Sequence, residues 1–263
     1  MDAVRVGAVS FLNSRPLVRG LERWPDRFSI RYDLPRVCAD LLHAGDIDLG
    51  LVPSIEYLRR GEYLAVADAA VVSDGPVRSV ALFTPLPLDR VRTIALDTSS
   101  RTSVALLRVL CARRFGVGPR FIEQGPDIDA MLGAADAALL IGDPALLLDH
   151  AARGLEKIDL GAEWKALTGL PFVYAFWTGR PGVLTTADAL VLQQARADGE
   201  ADPDGVARLF FEGDAVAQRI GAEYLRENIR FRMGEREIAG VERFYELAAE
   251  VGAAGPARRV EFY

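Results

Sequence analysis

The chain has little of what the commonest enzyme chemistries need. In 263 residues it has two histidines, His43 and His150, and two cysteines, Cys38 and Cys111. A histidine-rich metal centre is out of reach with so few imidazoles, and a Ser-His-Asp triad is disfavoured. The cysteines lie in helical-looking segments without CxxC spacing, so they read as buried free thiols of a reducing compartment. Lysine is almost missing: Lys157 and Lys165 are the only two, so 29 of the 31 basic groups are arginine. Acids outnumber bases 37 to 31, a net charge of −6, which argues against a nucleic-acid partner held by a basic surface. No apolar run reaches the roughly 18 residues of a membrane helix. The start, MDAVRVGAVSF, has an acid at position 2 and none of the apolar core of a signal peptide, so the expected location is cytoplasmic, with no membrane partner. Neither GxGxxG nor GxxxxGK[ST] occurs, and no carboxylate cluster resembles a metal cage; no nucleotide cofactor and no metal are expected.

What is present is ordinary globular composition, 50% hydrophobic and 26% charged, on a length that suits two modest units or one large one. Short apolar runs alternate with amphipathic stretches. VRVGAV (4–9), FSIRYDL (28–34) and DLGLV (48–52) read as strands. Between them SFLNSRP leads to a helix opening near Pro16, and a second helix runs from Pro35 to a stop at Gly45. The same order restarts with strands at 91–96, 120–124 and 137–141. Val91 follows Val4 by 87 residues, and Gly133 and Asp136 follow Gly45 and Asp48 by 88, so one βαβ-type unit is written twice. The runs 77–84 and 171–180 are strand-like crossing segments, and the remainder is helical in pattern. The fold class is α/β: two similar lobes with a ligand cleft between them. Residues 1–84 and 179–263 form a discontinuous lobe one, and 85–178 an inserted lobe two. A ligand belongs between them, at the carboxyl ends of the strands.

The loops facing that cleft carry amides, hydroxyls and guanidiniums. Ser10-Phe11-Leu12-Asn13-Ser14-Arg15-Pro16 follows the first strand, and Thr98-Ser99-Ser100-Arg101-Thr102-Ser103 is its counterpart in lobe two. Five hydroxyl residues in six positions beside Arg101, at a helix mouth, exceed the needs of capping and suit a carboxylate. Arg15 either points to solvent or meets a second carboxylate. Ser54, in Pro53-Ser54-Ile55-Glu56, either caps a helix or touches ligand; Gly142-Asp143-Pro144 reads first as a helix start, with Asp143 as its cap. Such a cleft binds a small, multiply anionic molecule.

GAVSFLNSRPL, LVPSIEYL, SSRTSVALLRVL, LLIGDPALLL and DLGAEWKALTGLPFVYAFW, in this order, resemble the chorismate dehydratase family of the futalosine route to menaquinone. The resemblance continues through YLRENIRFRMGEREIAGVERFYELA and so covers the chain. It implies the type II periplasmic-binding-protein fold, and conversion of chorismate to 3-[(1-carboxyvinyl)oxy]benzoate and water without a cofactor. It also implies a role for Asn13, whose amide can donate to a departing hydroxyl or orient a carboxylate, although an Asn before a helix also starts turns. Ser10, Arg15, Ser54, Ser99, Ser100, Arg101, Thr102, Ser103 and Gly142 are the substrate-contact candidates. No base accompanies Asn13 in the loops; the substrate's own enolpyruvyl carboxylate is the expected proton acceptor, with Glu56 and Glu163 second. Phe172 and Tyr174 either cover the ring or pack. Two rivals remain: a non-catalytic solute binder, and the same-fold dihydroxynaphthoate synthase, whose first cleft loop resembles SPCPNDTF where this chain has VSFLNSRPL.

Overall fold

A computed structural model describes residues 3–263. In chain order the first elements are β1 (Val4–Val9), β2 (Phe28–Asp33), α1 (Pro35–Ala44), β3 (Leu49–Pro53), β4 (Leu64–Ser73) and β5 (Val80–Thr84). Next come β6 (Thr93–Asp97), α2 (Arg101–Leu110), β7 (Arg120–Gln124), α3 (Ile128–Ala134), β8 (Ala137–Ile141), α4 (Gly142–Leu147) and β9 (Glu156–Asp159). Then follow α5 (Leu160–Thr168), β10 (Phe172–Gly179), α6 (Thr186–Glu200), α7 (Pro203–Phe210), α8 (Ala215–Glu227) and α9 (Glu235–Glu250).

The strands form two five-stranded sheets, ordered β2-β1-β3-β10-β4 and β7-β6-β8-β5-β9. The second order repeats the first position by position. In each sheet the first three strands are parallel and the fourth runs antiparallel to its neighbours. The repeat extends to single bonds. Asp48 accepts the Arg5 backbone N–H at 3.0 Å, and Asp136 accepts those of Arg92 and Thr93 at 2.9 Å each. Both acids precede a central strand and hold the start of the strand beside it.

Two crossing strands change the expected lobe boundaries. β5 pairs with β8 and β9 in the second sheet, and β10 pairs with β3 and β4 in the first. The sequence places 77–84 in lobe one and 171–178 in lobe two, but both runs are continuously apolar, and apolarity does not say which sheet a strand joins. By pairing, the crossings fall between Ser73 and Val80 and between Thr168 and Phe172. β4 gives no clear strand pattern in sequence because it is built on alanines around Asp68, a residue at φ 56° where the pairing shifts register.

Helix α1 forms as expected, with Pro35 in its first turn and Gly45 ending it at φ 85°. The segment Leu12–Val18 is instead a run of tight 3-10 turns. Pro16 has no N–H to give, and the Ser14 hydroxyl donates to the carbonyls of Val9 (2.6 Å) and Phe11 (2.7 Å), which draws the backbone out of α geometry.

Among the tail helices, α6 packs on Leu12–Val18 and β4, and α9 on β10 and α2. Gly199 on the buried face of α6 lets this packing happen: a Cβ there would lie 2.3 Å from the Pro16 Cα and carbonyl oxygen. Helix propensity alone favours alanine over glycine by about 1 kcal/mol. The clash is with backbone and reverses the sign, so Gly199→Ala is expected to destabilise the protein by about 1–3 kcal/mol. The midpoint of urea unfolding measures this; a midpoint at or above that of the native chain refutes the packing.

Candidate active site

The carboxyl ends of β1 and β3 face those of β6 and β8 across a narrow cleft. From the first sheet's side it is lined by Val9, Phe11, Asn13, Pro53 and Tyr174, and from the second's by Ser100, Thr102, Ser103, Ile141 and Gly142. The cavity measures about 50 Å³, so the walls nearly meet. At its narrowest, Phe11 lies on Gly142: a Cβ on Gly142 would fall 2.7 Å from the ring, and the φ of 67° there also favours glycine.

Five of the ten residues singled out from sequence thus share one cavity: Asn13, Ser100, Thr102, Ser103 and Gly142. Asn13 is held from behind. Its Nδ2 donates to Tyr224 Oη at 3.1 Å, and Tyr224 Oη lies 2.7 Å from Ser79 Oγ. Burial pushes the Tyr224 phenol up, with the Ser79 and Asn13 bonds pulling back, so it stays neutral. Ser100 caps α2 by accepting the Ser103 N–H at 3.1 Å, and the first turn of α2 lines the cleft with Thr102 and Ser103. Thr102 accepts the Ile55 N–H at 3.1 Å and so ties this helix mouth to the opposite lobe.

The other five are occupied elsewhere. Ser54 is fully buried and donates to the Val173 carbonyl at 2.8 Å. Ser99 binds the buried Asp97 through its backbone N–H (2.8 Å) and its hydroxyl. The Ser10 N–H donates to the Asp33 carbonyl at 2.9 Å, and its own carbonyl accepts from Arg15. The Arg15 guanidinium lies over Tyr32 (4.1 Å to the ring centre) and Phe210 (5.0 Å), outside the cleft. Arg101 donates to Glu56 at 3.1 Å and Asp40 at 2.7 Å. A guanidinium takes the nearest acid or aromatic face, and loop position in a sequence does not show which one lies within reach.

The second-choice bases are also engaged. Glu163 accepts from Arg114 at 2.8 Å. Burial alone would raise the Glu56 pKa, but the bond with His43 and the charges of Arg101 and Arg59 hold it below the usual range. No acid and no imidazole lines the cavity among the described residues. Phe172 packs edge-on against Trp164 at 5.2 Å, whereas Tyr174 reaches the cavity wall.

Sequence reasoning misses Tyr224 and Ser79. Tyr224 stands at ordinary core spacing in an amphipathic helix, 211 positions from Asn13, and nothing local marks it. Asp143 does not cap α4. It reaches across the cleft and accepts the Leu12 N–H at 3.1 Å. Among the described residues no group of three or more His, Cys, Asp or Glu could hold a metal ion.

The menaquinone biosynthesis family model matches residues 4–250. A chorismate dehydratase of Thermus thermophilus is 31% identical over 269 aligned positions, covering 88% of this chain and 95% of that one. A protein of Archaeoglobus fulgidus superposes with a TM-score of 0.76 at 18% identity, covering 95% of this chain and 98% of that one. The periplasmic aliphatic sulphonate binding protein SsuA of Escherichia coli superposes at 0.67 and 18%, over 99% and 96%. The fold is thus the two-lobed periplasmic-binding-protein type. The expected cytoplasmic location is overturned by these neighbours, several of them periplasmic or transporter-associated binding proteins. It rested on the composition of the first few residues alone.

Burial pushes Asp143 up from 3.8 to about 6, against the Leu12 bond and the Arg15 charge. In the unfolded chain the group ionises first, so the folded state loses stability as pH climbs from about 4 to about 6. Asparagine keeps an oxygen for Leu12 and removes the charge. Asp143→Asn should therefore match the native melting temperature at pH 4 and exceed it at pH 7, with a gain of at most about 3 kcal/mol. An equal gain at both pH values would show that ionisation is not the cause.

Proposed function

This chain belongs to the menaquinone biosynthesis family, and from that premise we propose that it is a chorismate dehydratase, a hydro-lyase acting on a small-molecule substrate. The observation that carries the reading is the 31% identity to the Thermus enzyme over 88% of the chain. A cleft that collects Asn13 and the α2 mouth at one point fits it.

Chorismate has a ring carboxylate and an enolpyruvyl carboxylate. Losing the C4 hydroxyl and the C3 hydrogen makes the ring aromatic, so the intrinsic driving force is large. The C4–O bond breaks, the C3–H electron pair enters the ring, and the C3 proton, taken up first by the enolpyruvyl carboxylate, passes to the departing hydroxide, which leaves as water. The first turn of α2, with Thr102, Ser103 and its leading N–H groups, suits one carboxylate. Asn13, pinned through one N–H by Tyr224, keeps its other N–H and its carbonyl oxygen for the substrate. That N–H can donate to the departing C4 oxygen, where negative charge develops. With no acid or imidazole lining the cavity, and Asp143 engaged by the Leu12 N–H, the enolpyruvyl carboxylate takes the C3 proton. Orientation supplies the rest; held in the reactive geometry, a bound molecule gains as much as about 7–11 kcal/mol. The same hold keeps the enolpyruvyl arm from the ring carbon it attacks in the competing Claisen rearrangement.

The test is incubation of the purified protein with chorismate and mass analysis of the product. A product lighter by one water supports dehydration. Unchanged mass, whether from rearrangement or from binding without turnover, rejects it, and tight binding alone identifies a solute binder. Given turnover, Asn13→Ala should lower kcat by about 10²–10³ with little change in KM, as for the loss of a donor to a developing oxyanion. Tyr224→Phe should lower kcat less, since it frees the amide without removing it.

A further inference from the structure

The proposed reaction leaves Arg101 without a part, although it sits between residues that have one. Ser100 precedes it and Thr102 and Ser103 follow, all lining the cavity. Its guanidinium turns away from the cavity and spans the seam between the lobes. Nη1 donates to Glu56 Oε2 at 3.1 Å, and Nη2 to Asp40 Oδ1 at 2.7 Å. Arg101 belongs to the second lobe; Asp40 on α1, and Glu56 in the turn after β3, belong to the first.

The receiving side is rigid. Glu56 is 4% exposed, and its Oε2 also lies 2.7 Å from His43 Nε2 and 3.4 Å from Arg59 Nη1. His43 is anchored in turn by Tyr63 Oη at 2.9 Å from its Nδ1. Two further bonds flank the guanidinium across the same seam. The Arg36 N–H donates to the Ser99 carbonyl at 3.1 Å, and the Ile55 N–H donates to Thr102 Oγ1. An isolated exposed ion pair would matter little. Here one partner is a buried carboxylate fixed by other groups, so the guanidinium is attached to a framework and not to a mobile side chain.

We propose that Arg101 is a positioning residue: clamped between Glu56 and Asp40, it sets the first turn of α2 against the cleft and does not itself hold the substrate. The inference rests on the proposed reaction and adds a residue to it. The carboxylate site at that helix mouth exists only when the mouth faces the opposite wall, and the clamp is what aims it. Loss of the clamp therefore weakens substrate binding and spares the step at Asn13, on the other wall.

The experiment compares Arg101→Gln, Arg101→Lys, Glu56→Gln and Asp40→Asn in steady-state turnover of chorismate. Arg101→Gln and Glu56→Gln should each raise KM by about tenfold or more with kcat nearly unchanged, within the range that a small misplacement costs. Asp40→Asn should raise it less, and Arg101→Lys should recover most of the loss. The double variant Arg101→Gln/Glu56→Gln should be no worse than the worse single one, because both break one device. The proposal is overturned if Arg101→Gln raises KM while Glu56→Gln and Asp40→Asn leave it native, for then Arg101 binds substrate directly. It is equally overturned if none of them moves KM. Should Glu56→Gln not fold, Asp40→Asn at its half-exposed site carries the comparison. Should the native protein not convert chorismate, the proposed function fails and not the clamp. Small-angle scattering then decides: a larger radius of gyration for Arg101→Gln supports the clamp, and an equal one rejects it.

Discussion

Two strands that change sheets, β5 and β10, constrain the rest of the molecule. Each enters its host sheet antiparallel beside the third strand, so the chain passes twice between the lobes. The parallel strands on either side are thereby left with their carboxyl ends turned toward a common gap. An aromatic group beside the second crossing fixes the geometry: Trp164 on α5, Phe172 on β10 and Phe244 on α9 meet edge-on with centres 4.9–6.0 Å apart. The Trp164 indole N–H donates to the Pro171 carbonyl at 3.1 Å. Such pairs contribute about 0.5–1.5 kcal/mol each beyond their burial. Helix α9 touches β10 in one lobe and α2 in the other, so the tail braces the pivot as well as covering the first sheet.

The polar groups at the gap differ in kind between its centre and its edge. At the centre they are an amide and hydroxyls: Asn13, Ser100, Thr102 and Ser103. At the edge they are charged and already paired, Arg101 with Glu56 and Asp40. A neutral hydrogen bond between protein groups contributes about 0.5–1.5 kcal/mol net, and one to a charged group about 1.5–3. A dianionic molecule can therefore displace the central bonds favourably, but it has little to offer an arginine that already has two carboxylates. On the proposed function the division of labour follows from this difference: neutral groups receive the ligand, and ionic groups hold the walls.

How far the sequence discloses this depends on whether a feature is local. The repeat is legible because the same acid at the same point, Asp48 and Asp136, performs the same task for the neighbouring strand. Helix α1 is legible because Pro35 and Gly45 act within their own turns. The α2 mouth is legible from its density of hydroxyls. Long-range partnerships are not. Arg15 and Arg101 look like carboxylate ligands until Tyr32, Phe210, Glu56 and Asp40 are seen beside them, and these stand 17 to 195 positions away. Asp143 looks like a cap because Pro144 follows it, yet its partner is Leu12 across the cleft. The strand β4 is hidden for another reason: alanine and aspartate have little strand preference of their own, and β10 and the bridges to Arg230 and Phe262 hold it in place.

The same fold serves proteins that only hold a ligand, so the difference must lie in what the closed cleft presents to it. A binder can satisfy each anionic group and stop there. Dehydration asks for one thing more, a donor at the departing oxygen whose orientation does not relax when charge appears. Free in a loop, an asparagine would turn its amide to suit the ground state, and the binding gained would not lower the barrier. Tyr224 prevents this. It is buried, neutral and tied to Ser79 at the start of β5, so the Asn13 amide is referred to the crossing strand itself. In the proposed reaction this makes the donor as rigid as the pivot of the two lobes, which is the preorganisation that an electrostatic contribution to catalysis requires.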